Sequence, residues 1–245
     1  MIKLIAYPLT CIYLSCFSAI LLIFHPIQWL CLNTFGYHAH KKSVDYLNCC
    51  LVRCLHLLGV RYTFSNPHQI PTDRPTIIVS NHQSMNDIPP IIWFLRKQHP
   101  KFISKKELGK GIPSVSFNLR HGGSVLIDRK QAVKSIKDIE EFAQRVQKNN
   151  WAAVIFPEGT RSRDGNPKPF KTKGLLTLMH HIPNALVIPI SINNSWKTLK
   201  YGKFPMGIGA HLKFLVHKPH DLSQHDPNAL IVTIEKQIKD HIYND

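Results

Sequence analysis

At 245 residues, with 44% hydrophobic and 19% charged residues, the chain is long enough for one sizeable core and too apolar to stay disordered. Thirty-one Lys+Arg against 15 Asp+Glu leave a net charge of +16, which calls for an anionic partner such as phospholipid, a phosphorylated substrate or nucleic acid. All six cysteines (Cys11, Cys16, Cys31, Cys49, Cys50 and Cys54) fall in the first 54 residues with no CxxC spacing, which argues against a disulfide framework or a zinc site and for apolar filler in helices.

The N-terminus carries the first structural signal: residues 4–40 contain no Asp, Glu, Lys or Arg. As one helix this stretch would run about 55 Å, well beyond the roughly 30 Å hydrocarbon core of a bilayer. Pro8 and Pro26 are the expected breaks, because each lacks an N–H and crowds the preceding turn. That leaves an apolar helix over 9–25 and a second piece over 27–35 with Trp29 at an interface. Val44, Leu47, Leu51, Cys54, Leu55 and Leu58 then recur at helical spacing, predicting an amphipathic helix over 43–58. One spanning helix, a re-entrant helical pair in one leaflet and a cleaved signal peptide are the readings; the last is opposed by a single early charge, Lys3, and by the lack of a small-x-small site. Residues 1–58 are expected to be a membrane-attaching segment and 59–245 an α/β domain.

From Arg61 onward short apolar strands alternate with helical patterns. Strands are expected at 61–65, 76–80, 101–104, 124–127, 152–156, 186–192 and 211–216. Helices are expected at 87–95, 131–148, 173–180 and 227–242, the last opened by Asp226 as cap and Pro227 in the first turn. The predicted class is α/β, a single mixed-sheet domain flanked by helices with an N-terminal membrane-embedded helical segment.

A His followed five residues later by an Asp can supply a base with an orienting carboxylate. Three such pairs occur, His40/Asp45, His68/Asp73 and His82/Asp87, so spacing alone selects none. Context does: His82 follows the apolar strand Thr76–Ser80 and opens a turn before a helix, where α/β folds place their ligands. A second block, Phe156-Pro157-Glu158-Gly159-Thr160-Arg161-Ser162, also follows an apolar strand. It can aim backbone amides, Thr160 and Arg161 at an anion, or it can be an ordinary solvated turn. A third block, from Gly122 to Arg129, ends in a guanidinium that either binds phosphate or pairs with Asp128. Residues 96–174 hold 18 Lys+Arg and seven Asp+Glu, so positive charge gathers around these loops.

With Asn81 to Asp87, Gly123 to Arg129, Phe156 to Ser162 and Val187 to Ile192 in this order, the chain resembles the glycerolipid acyltransferases typified by the bacterial 1-acyl-glycerol-3-phosphate acyltransferases. The likeness covers about 61–196. The first and third blocks are close to the family pattern, and the second and fourth agree mainly in hydrophobic type, with Ser191 a polar departure. The resemblance implies that His82 is the general base and Asp87 its orienting partner. It implies that Arg129, Glu158, Gly159 and Arg161 help bind the acceptor phosphate, with Lys105 assisting; Thr160 is grouped with them. It also implies a membrane-embedded N-terminal motif.

The expected reaction is direct attack of an acceptor hydroxyl on an acyl-CoA or acyl carrier protein thioester, with no cofactor or metal and no acyl-enzyme. Ser84 lacks a GxSxG elbow and reads as a loop hydrogen-bonder. The expected partners are an anionic lysophospholipid acceptor, an acyl thioester donor and a phospholipid surface, not nucleic acid. Lys41 and Lys42 place the catalytic domain on the cytoplasmic face of the inner membrane. The alternatives are another acceptor, glycerol 3-phosphate or a lysophospholipid without a terminal phosphate, and a non-catalytic polybasic membrane-binding protein.

Overall fold

The computed structural model of the chain describes residues 2–243. Its strands are β1 (Arg61–Ser65), β2 (Thr76–Ser80), β3 (Pro100–Lys105), β4 (Val125–Ile127), β5 (Ala152–Ile155), β6 (Leu186–Asn193), β7 (His211–Val216) and β8 (His220–Asp221). They form one sheet in the order β1-β7-β6-β2-β5-β3-β4, with β8 beside β6. β2 runs parallel to both β5 and β6, and β3 and β4 continue parallel beyond β5. β7 is antiparallel to β6, and β1 is parallel to β7, so the sheet is mixed. The parallel strands β2 to β6 thus all end at one edge, which carries the loops read above as chemical.

β2, β5 and β6 are buried at every position because helices cover both faces, and their sequences are accordingly continuous apolar runs. One face packs on α4 (Ala132–Asn149), α5 (Thr172–His181) and α6 (Pro227–Asp240), through Ile139, Phe142, Leu175, Leu178 and Ile234. Ser191, the polar departure in β6, has partners there: its hydroxyl pairs with His217 Nε2 at 2.7 Å and donates to the Ile238 carbonyl at 3.0 Å. The other face packs on α2 (Ile88–Phe94) and on the N-terminal helix α1 (Ile2–Cys54), through Tyr13, Cys54, Ile78, Ile91 and Leu95.

The breaks expected at Pro8 and Pro26 are not where α1 bends: both prolines lie inside continuous helix, and the chain turns at Gly36 with φ 78° and ψ −172°. That region is open almost only to glycine, so one residue without Cβ takes the whole reversal. The two limbs, 2–35 and 37–54, pack side by side. The Cys54 thiol reaches the Tyr13 carbonyl at 3.8 Å, and Leu21, Leu47 and Leu51 share a cluster. This is the geometry of a helical pair, and Lys3–Leu58 is long and apolar enough to cross a membrane. Its outer face exposes Leu4, Ile5, Ile12, Leu22, Ile23, Trp29, Leu30 and Phe35. A short helix not anticipated from sequence, α3 (Val115–His121), docks on the first limb, where Ser114 bonds the Leu21 carbonyl at 2.6 Å and His25 at 3.0 Å. Lys41, read from sequence as a topology marker, is committed to Asp45 and to the Arg96 carbonyl.

Candidate active site

The loop after β2 is built around one carboxylate oxygen. Asp87 Oδ2 accepts from His82 Nδ1 at 2.7 Å, from the Gln83 amide at 2.7 Å and from the Ser84 amide at 2.9 Å. Ser84 reciprocates by accepting the Asn86 amide at 3.0 Å, closing a capping box over the turn Met85–Asp87 that leads into α2. The Asp87 side chain is fully buried, whereas 13% of the His82 side chain is exposed. With the Nδ1–H donated to the Asp87 carboxylate, Nε2 carries the lone pair and is the nitrogen free for chemistry. The ring is also stacked on Phe156, centroids 4.1 Å apart and planes 15° from parallel, which fixes its rotation.

The decoy pairs are built differently. Both ring nitrogens of His40 are buried without partners, and Asp45 is taken by Lys41. His68 sits in the Pro-rich loop, with its amide on the Asn66 side chain. Among the described residues, only His82 of the three histidines is hydrogen-bonded to its Asp.

Glu158, grouped from the resemblance with the phosphate ligands, faces inward and is only 1% exposed. One oxygen accepts the His82 amide at 2.8 Å and the other the Lys168 amide at 2.9 Å. Burial raises its pKa and these two amides pull it back. A buried anion with both oxygens engaged is a tie between two loops rather than a ligand for a second anion. Ser162 adds a return bond, its amide on the His82 carbonyl at 2.8 Å.

The cations lie around this tie. The Arg129 guanidinium, beyond β4, donates to the Gly159 carbonyl and leaves Asp128 to cap its own turn through the Lys130 amide at 3.0 Å. Thr160, Arg161 and Lys105 are exposed, Lys105 at the carboxyl end of β3. The described geometry therefore joins His82, Asp87, Glu158, Gly159 and Arg129 in one bonded chain. Gly159 has φ +70°, a left-handed conformation that glycine adopts without strain, so the turn depends on the missing Cβ.

Several positioning residues were not singled out from sequence. Asn81 bonds both groups of Ile192 in β6, at 2.8 and 2.7 Å. Gln83 accepts the Ser195 amide at 2.9 Å, Ser84 pairs with the Ser195 hydroxyl at 2.6 Å, and Asn86 donates to Thr198 at 2.9 Å. The available signal was the density of short polar side chains from Asn81 to Asp87, each of which needs a buried partner once the loop folds. Ser84 is thus a fully buried hydrogen-bonder, as its setting suggested.

Fold and site together define an α/β protein that presents a carboxylate-held imidazole beside a cationic loop at the carboxyl edge of a sheet. The Acyltransferase family model matches residues 61–193, more than half of the chain, and the chain belongs to that family. It is 28% identical over 154 residues to 1-acyl-sn-glycerol-3-phosphate acyltransferase alpha of Mus musculus, covering 62% of this chain and 52% of that protein. It is 31% identical over 148 residues to 1-acyl-sn-glycerol-3-phosphate acyltransferase BAT2, chloroplastic, of Brassica napus, covering 60% of this chain and 41% of that one. The chain spans about half the length of the curated relatives it matches. In fold it is similar to the crystal structure of the 1-acyl-sn-glycerophosphate acyltransferase PlsC from Thermotoga maritima, with a TM-score of 0.78, 23% identity and full coverage of both chains.

Proposed function

We propose that the chain transfers a fatty acyl group from an acyl-CoA or acyl carrier protein thioester to the sn-2 hydroxyl of 1-acyl-glycerol-3-phosphate, giving phosphatidate. The observation that carries this reading is the 2.7 Å bond from His82 Nδ1 to an Asp87 oxygen that two backbone amides also hold. A thioester is already electrophilic; what an alcohol lacks at neutral pH is a base. His82 Nε2 takes the hydroxyl proton as the oxygen attacks the carbonyl, a contribution of about 10² to 10⁴ in rate. The C–S bond then breaks, and the imidazolium returns the proton to the departing thiolate. Asp87 stabilises the imidazolium between these steps, and the Phe156 face beneath the ring favours the same charged state.

Arg129, Arg161 and Lys105 attract the acceptor phosphate and hold its hydroxyl near His82, converting binding into proximity. Glu158 serves this arrangement indirectly, by keeping the cationic loop against the base. The α1 pair lies with its exposed apolar face in one leaflet of the inner membrane, and the catalytic domain faces the cytoplasm, where thioester donors are made. The relatives named for the same acceptor support this choice of substrate.

The test is thiol release from acyl-CoA by the purified full chain with lysophosphatidate, lysophosphatidylcholine and glycerol 3-phosphate as acceptors. Preference for lysophosphatidate is expected. Preference for the phosphodiester acceptor removes the phosphate roles of Arg129, Arg161 and Lys105, and no transfer to any of the three removes the reading.

A further inference from the structure

The segment after β6 does two jobs that the proposed reaction does not use. On one side it holds the catalytic loop: Ser195 and Thr198 bond Gln83, Ser84 and Asn86. On the other it holds the start of α1, where the Met206 amide donates to Thr10 at 2.9 Å and the Phe204 ring meets Tyr7 edge-on at 5.5 Å. Between these anchors the loop turns outward. Phe204 is 51% exposed, next to Leu4 at 72% and Ile5 at 55% on the first turns of α1. An aromatic ring of that exposure on a loop anchored at both ends is costly in water.

Cations flank the ring of Tyr201, three residues before Phe204 on the same loop. Lys200 and Lys203 are exposed on the same loop, and the Lys3 and Lys200 ammonium groups lie 5.8 and 4.9 Å from the centre of the Tyr201 ring. No Asp or Glu occurs between Asp164 and Asp221, so no acid on this stretch of chain offsets them. An exposed aromatic on a lysine-bearing loop that packs on an apolar helix matches a bilayer interface, where rings enter the headgroup layer and ammonium groups meet anionic lipid.

We propose that residues 200–204, together with Lys3, form a second membrane contact that binds anionic phospholipid headgroups beside α1. This rests on the membrane attachment of α1 proposed above and extends it to the α/β domain. Because the loop also carries the partners of Gln83, Ser84 and Asn86, seating it on the bilayer sets the catalytic edge at the lipid surface.

The test uses the full chain distributed between phosphatidylcholine and phosphatidylglycerol vesicles at low salt. Each lysine near an anionic surface contributes about five-fold in partitioning, so Lys200→Gln with Lys203→Gln should lower the preference for phosphatidylglycerol by about 25-fold. The control pair Lys134→Gln with Lys137→Gln, exposed on α4 across the sheet, removes the same charge and should change it little. Equal losses for both pairs would show a whole-molecule charge effect and overturn the assignment. In a second arm, Phe204→Trp in discs of brominated phosphatidylglycerol should be quenched more than the wild-type tryptophans alone. Quenching no greater than wild type means the loop stays in water, and the proposal fails. Neither readout needs turnover, so an inactive chain that keeps both results would sink the acyl-transfer reading and leave this one standing.

Discussion

Replacing Asp87 by Asn separates orientation from charge at the base. The amide oxygen of Asn can still accept the Gln83 and Ser84 amides, now 2.7 and 2.9 Å from Oδ2, so the turn should survive. The side chain is fully buried, and Oδ1 has no hydrogen-bond partner, so removing the charge also removes a desolvation cost. These effects oppose each other, and the stability change should stay within about 2 kcal/mol. The reaction has no such compensation. When His82 takes a proton it becomes an imidazolium beside a neutral amide, and the lost ion pair is worth about 4 kcal/mol for delocalised charges centred about 4 Å apart at an effective dielectric of about 20. Part of that is recovered by solvent at the exposed 13% of the ring. A fall in kcat of about 10² to 10³ is therefore expected, with a nearly unchanged melting temperature in detergent. A folded variant that keeps more than about a tenth of the wild-type rate would refute the charge-stabilised base.

Ser84→Ala removes a cap and the bond to Ser195, costing about 1 kcal/mol in a thermal melt, yet acyl transfer should persist within several-fold; loss comparable to that of a nucleophile would mean an acyl-serine forms. Glu158→Gln should lower kcat and the melting temperature together, because one of the His82 and Lys168 amides meets an NH₂ group; an effect confined to acceptor KM would instead make Glu158 a direct substrate contact. Burial, reinforced by the Lys41 charge and opposed by Asp45, pulls the Lys101 ammonium from its ordinary 10.5 down to about 7. Between those values the unfolded chain holds a proton that the folded chain does not, so this group makes stability rise as pH rises through about 7 toward 10.5. Lys101→Met, which keeps a side chain of similar length between Tyr37 and Trp151, should flatten that rise in melts from pH 6 to pH 9, and an unchanged slope would contradict it.

β2 was legible because burial on both faces writes it as a continuous apolar run, and β1 and β7, whose burial alternates along the strand, also begin and end at the residues expected. α6 was legible from its cap, where Asp226 accepts the Ala229 amide at 2.9 Å. α3 was not, since seven residues after Pro113 are too few for a periodic pattern, and its placement comes from contacts with α1. The turn in α1 was misread for a related reason: proline marks a local preference, which packing along the helix overrides at positions 8 and 26, whereas the reversal requires a positive φ that only Gly36 supplies cheaply. His82 and Asp87 could be picked from their place after a strand. The inward turn of Glu158 could not, because whether a carboxylate meets solvent or backbone amides depends on a loop ten residues further on, where Lys168 closes over it.

The most direct measurement compares acyl transfer by His82→Ala with transfer by His40→Ala and His68→Ala, each in the full chain and each checked for folding. Near-complete loss for the first and little change for the other two is the expected result, because among the described residues only the first ring is hydrogen-bonded to a carboxylate five residues on. Equal rates in all three variants would contradict the assignment of the base.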